Sequence, residues 1–106
     1  MLSDFMRETL RQEIAEQLTT ARRQLREQEQ RLARLRFEWN IARRMRSQAR
    51  TEEEREKWRV QSDAYLNMVL QQENVIQETQ TYVEHHQARL VELDTCSTDE
   101  AVQQRQ

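Results

Sequence analysis

Apolar side chains recur along this chain in steps of three and four. Leu18, Ala21, Leu25, Gln28, Leu32, Leu35, Trp39 and Ala42 form one such series, and Ile14 extends it backwards. This is the 3.5-residue period of a coiled-coil seam, kept for about four heptads. With Leu18, Leu25, Leu32 and Trp39 labelled a, the d positions are Ile14, Ala21, Gln28, Leu35 and Ala42, and only Gln28 is polar. A second series runs through Trp58, Ser62, Tyr65, Val69, Gln72, Ile76, Thr79, Val83, His86, Leu90 and Leu93. Val69, Ile76, Val83 and Leu90 take position a there, and the d positions are more polar. The pattern predicts two long helices, over about 3–49 and about 52–94.

Between the two series, residues 49–57 read Ala-Arg-Thr-Glu-Glu-Glu-Arg-Glu-Lys. Thr51 followed by Glu54 has the form of a capping box, in which the hydroxyl accepts from the third helical N–H and the carboxylate reaches back. Glu52, Glu53 and Glu54 would then occupy the first turn of a new helix. Arg43, Arg44, Arg46 and Arg50 would close the old one. Both placements suit the helix dipoles. One unbroken helix is the competing reading, since no residue here breaks a helix, but the cap and the charges favour a reversal at about 49–52. Folding back around Thr51 sets Ala42 against Trp58, Trp39 against Ser62, Leu35 against Tyr65 and Leu32 against Val69. Gln28 then meets Gln72, followed by Leu25 with Ile76, Ala21 with Thr79, Leu18 with Val83 and Ile14 with His86. Two amides in one layer can hydrogen-bond each other and fix the register.

Composition strengthens this picture. Gly and Pro are both absent, which leaves few options for tight turns and suits long helices. Aromatic residues make up 6% of the chain, and β-branched residues never cluster as strands require. Hydrophobic residues at 36% and charged residues at 34% would also suit a disordered chain, but the strict apolar spacing argues for order. The expected fold is all-α: a long, coiled-coil-like antiparallel hairpin that completes a four-helix bundle by dimerising or by docking on a partner. It forms a single domain over 1–94, with 95–106 as a mobile polar tail.

The halves differ in charge. Residues 1–50 hold 12 basic and 7 acidic side chains, and residues 51–106 hold 5 basic and 12 acidic, for a net charge of −2. An antiparallel hairpin brings these halves together, whereas a parallel pair of single long helices would set like charges side by side. Several apolar residues remain outside the seam. Phe37, Ile41 and Met45 form an i, i+4, i+8 row, and Leu66, Met68, Leu70, Val75 and Tyr82 also depart from the a/d line. Soluble chains avoid exposing so much apolar surface unless a partner covers it. Phe37, Ile41, Met45, Leu66, Leu70 and Tyr82 are the expected protein-interface residues.

Little in the sequence points to chemistry. The lone cysteine, Cys96, has no internal partner, and the two histidines, His85 and His86, lack metal-ligand spacing. No phosphate-cradling glycine loop, dinucleotide fingerprint or HExxH motif is present. No catalytic, cofactor-binding or metal site is expected, and no small-molecule substrate. His86 falls in the seam, where charging it would place a cation against Ile14. Arg43, Arg44, Arg46 and Arg50 form the one cluster that suits a phosphate backbone. No apolar run reaches the roughly 20 residues needed to span a bilayer, and the N-terminus does not read as a signal peptide. The expectation is a cytoplasmic, non-enzymatic adaptor, regulator or assembly subunit, acting as a homodimer or with a helical partner protein. The alternative is an arginine-rich helical dimer that binds nucleic acid.

Overall fold

The computed structural model describes residues 2–105, with side chains as far as Thr95. Two helices, α1 (Asp4–Gln48) and α2 (Glu52–Arg105), pack as an antiparallel hairpin. Helix α2 continues past the expected end near 94. The tail expected over 95–106 lies almost wholly beyond the described side chains.

Each helix start is capped. Ser3 Oγ accepts from the Met6 N–H at 3.1 Å and its carbonyl from the Arg7 N–H at 2.9 Å, with Asp4 in the first turn. At the turn, Thr51 Oγ1 accepts from the Glu54 N–H at 3.1 Å. The Glu54 carboxylate reaches back as expected, but to the Arg50 N–H at 3.4 Å, one residue before the cap residue itself. The Ala49 N–H closes the last turn of α1 on the Arg46 carbonyl at 3.3 Å. No described residue has positive φ, which explains how the chain reverses without glycine.

The seam follows the heptad pattern. Between residues 11 and 48, every residue withdrawn from solvent is one of the a or d residues named above. From 52 to 95 the same holds, with half-buried Leu66 and Glu73 as the additions. Contacts divide the hairpin into two compact units. The turn unit comprises Leu25–Glu78, and the terminal unit comprises Met1–Gln24 with Thr79–Gln106. In the turn unit the core is Leu32, Val69 and Ile76, flanked by Leu25 and Leu35. In the terminal unit it is Ile14, Leu18, Ala21 and Val83, flanked by Leu10, Leu90 and Leu93. Ile14 is 1% exposed.

Gln28 and Gln72 do share a layer, but not as a pair of amides. Gln72 Nε2 donates to the Gln28 main-chain carbonyl at 3.1 Å, and Gln28 Oε1 is buried with no hydrogen-bond partner. A buried acceptor left in this state costs about 1–3 kcal/mol. The two glutamines are therefore unequal. Gln28→Leu is expected to raise the melting temperature by roughly 4–8 °C, the equivalent of about 1 kcal/mol in a domain of this size. Gln72→Leu should give a smaller gain or a loss, because it also removes a hydrogen bond. Thermal melts followed by circular dichroism measure both, and an equal or reversed ranking would contradict the assignment.

Candidate interaction surface

With the a and d positions consumed by the seam, surface function falls to the remaining heptad positions. In an antiparallel pair, the e and b positions of both helices lie along one flank of the seam and the g and c positions along the other, with f pointing outward. The two flanks of the turn unit differ in character. Along the e/b flank, Arg36 of α1 bridges Glu73 of α2 at 3.0 Å. Arg59 holds Glu56 at 2.8 Å and Asp63 at 3.1 Å. Along the g/c flank lie Ile41 and Met45 of α1, with Ala64, Met68 and Val75 of α2, and all five are exposed.

The expected interface residues distribute unevenly over this surface. Phe37 is 64% exposed at an outward f position, next to Ile41 at 37% and Met45 at 39%. Leu66 and Leu70 fall on the opposite, charged flank, and Leu66 is half-buried there. Tyr82 belongs to the terminal unit, where its ring stacks on His86 at 3.9 Å between centroids. The six residues therefore do not form one patch. Ala64, Met68 and Val75 share the flank of Ile41 and Met45 although they were not among the expected six. Their signal was the heptad letter rather than size or hydrophobicity. The terminal unit has an exposed apolar cluster of its own at Leu2, Phe5 and Met6, around half-buried Leu10.

His86 is buried, and both ring nitrogens are engaged. Nδ1 lies 3.0 Å from the Tyr82 carbonyl, so it carries a hydrogen there, and Nε2 lies 3.1 Å from the Gln17 side-chain amide. Its hydrogen-bonding partner across the seam is Gln17 Oε1, a polar contact that the periodicity did not name. Among the described residues no group of three or more His, Cys, Asp or Glu is placed to hold a metal ion. No described helix is long and apolar enough to cross a membrane.

The turn arginines are interleaved with carboxylates. The Arg43 guanidinium lies over the Trp39 ring at 4.7 Å. Arg46 shares a surface hollow with Glu52, Arg55, Glu56 and Arg59, and the Arg50 N–H is turned to Glu54. A hydrogen bond from Arg59 holds the Glu56 carboxyl below its ordinary value of 4.5, with smaller help from the charges of Arg59 and Arg46. The same hydrogen bond pushes the Arg59 guanidinium up.

Comparison with family models, with curated proteins and with solved structures returns no match to this chain.

Two expectations follow from the charges at the turn. The depressed Glu56 stabilises the folded chain above the ordinary glutamate range, and that contribution is lost as pH falls through its folded-state value. Glu56→Gln should therefore melt slightly lower than the parent at about pH 7 and converge with it in acid, once the pH has fallen below the folded-state value. Melts that stay apart in acid would show that the ion pair is not the cause. In addition, reversing Arg43 and Arg44 to glutamate should leave salt-dependent affinity for RNA and DNA unchanged in a fluorescence-anisotropy titration. A drop of tenfold or so, the size expected from losing phosphate contacts, would favour a nucleic-acid role.

Proposed function

We propose that this protein is a non-enzymatic adaptor or assembly subunit that works by offering a helical surface to other protein. One observation carries the reading. The seam uses up the a and d positions, yet Phe37, Ile41 and Met45 remain exposed on successive turns of the same helix. A row of that kind on a charged helix is the form a helix-in-groove or helix-bundle contact takes.

Nucleic-acid binding is the weaker alternative. It has the arginine cluster in its favour. Against it, Glu52, Glu53, Glu54 and Glu56 share the turn with those arginines, and these carboxylates repel a phosphate backbone.

The test is native mass measurement of the complex recovered from the source cells with the full chain as bait, compared with Phe37→Glu and Ile41→Glu together. The expected result is a parent assembly heavier than one chain that the double variant loses while keeping its helical circular-dichroism signal. A parent chain recovered only as a lone monomer, or an assembly indifferent to both substitutions, overturns the reading.

A further inference from the structure

We propose that the g/c flank of the turn unit is covered by a second copy of this chain. The two hairpins would be related by a two-fold axis parallel to their helices, so that both turns lie at the same end. This rests on the contact function above and names its partner.

Charge is distributed around the turn unit in a way that singles out this flank. On α2, the g and c positions between Lys57 and Glu78 are Gln61, Ala64, Met68, Gln71 and Val75, none of them charged. On α1, Arg31 and Arg34 are matched by Glu27 and Glu38, and Ile41 and Met45 complete the strip. The opposite flank carries the Arg36–Glu73 bridge and the Glu56–Arg59–Asp63 group, whose charges are already paired within the hairpin. On α2 this uncharged centre is bounded by Lys57 and Glu78, the anatomy of an interface core, while α1 adds two charge-balanced pairs to the same flank. A strip that is nearly neutral overall also meets its own copy without a like-charge penalty.

The arms then choose the symmetry. Over residues 25–50 the first arm holds eight arginines against three glutamates, and over residues 51–78 the second holds seven carboxylates against three basic residues. Two hairpins can meet face to face about a two-fold axis in two ways. An axis across the helices lays each basic arm on its own copy. An axis parallel to the helices lays each basic α1 on the acidic α2 of the other chain, antiparallel to it. The second arrangement completes a four-helix bundle with opposite charges adjacent. The register expected from the seam, Trp39 with Ser62 and Leu35 with Tyr65, puts Phe37 level with Ala64 and Ile41 level with Val60 and Gln61. An axis parallel to the helices keeps those levels. The bulky Phe37 comes to the height of the partner's Ala64, a small residue, and Ile41 to that of the partner's Gln61, which is uncharged. Phe37, 64% exposed in the single hairpin, gains a neighbour that its own chain does not supply.

Sedimentation equilibrium on the purified full chain tests the proposal, with cysteine kept reduced. The expected mass is twice the 13.0 kDa of one chain. Met68→Glu and, separately, Ile41→Glu should each weaken the dimer by about a hundredfold. Both sites are exposed in the single hairpin, so helicity should persist, and circular dichroism checks that it does. Leu70→Glu, on the charged flank, should leave dimerisation within about threefold of the parent. Raising sodium chloride from about 0.05 M to about 0.5 M should weaken the dimer, because the facing arms attract. A chain that stays monomeric at about 100 μM, far above the working range of a specific contact, overturns the proposal. So does a dimer that ignores Met68→Glu and Ile41→Glu. A dimer that tightens with salt overturns the axis, since it would have like arms facing. If the purified chain is monomeric while the native assembly contains a different protein, this inference fails and the contact function stands.

Discussion

Two helices in contact can bury one stripe apiece, and the whole of this structure follows from how that single stripe is filled. The seam takes the a and d positions from Ile14 to Ala42 on one helix and from Trp58 to Leu93 on the other, and almost nothing else is withdrawn from water. Such a core is thin. Its cohesion comes from small cross-seam clusters, Leu32 with Val69 and Ile76 in one unit and Ile14 with Leu18, Ala21 and Val83 in the other. Apart from Leu10 and half-buried Leu66, the larger apolar residues outside the seam are exposed, so the question of function becomes the question of what meets that surplus.

Much of this was legible in the sequence because the heptad period is a geometric property of a helix, independent of what surrounds it. The strict steps of three and four named each seam residue, and the Thr51–Glu54 spacing placed the reversal. Less legible were details set by the reach of particular side chains. The periodicity put Gln28 opposite Gln72 but could not show that one amide would take a main-chain carbonyl and leave the other's oxygen stranded. Likewise His86 was placed in the seam, yet its partner proved to be Gln17, at a g position beside the layer expected to face it. The candidate interface was the least legible part. Taking the apolar residues that depart from the a/d line grouped Leu66 and Leu70 with Ile41, although their heptad letters place them on opposite flanks.

Electrostatics sort the two flanks more sharply than hydrophobicity does. Arginine forks reach across or along the e/b flank to Glu73, Glu56 and Asp63. Exposed pairs of this kind contribute little to stability individually. Their effect lies in occupying one side of the molecule with satisfied charge. The g/c flank, with methionine, valine and isoleucine beside neutral amides on α2 and balanced charges on α1, carries more of the exposed apolar surface of the turn unit.

The turn has a separate consequence. With every described residue at negative φ, the reversal at Ala49–Thr51 is maintained by hydrogen bonds to Thr51 and Glu54 rather than by a backbone shape that only glycine could adopt. A few dihedral rotations would carry α1 straight into α2 as one rod. Two rods lying side by side in opposite directions could form the same seam contacts between chains that the hairpin forms within one. The cap therefore acts as a topological latch, deciding whether the arms close on themselves or are exchanged between molecules.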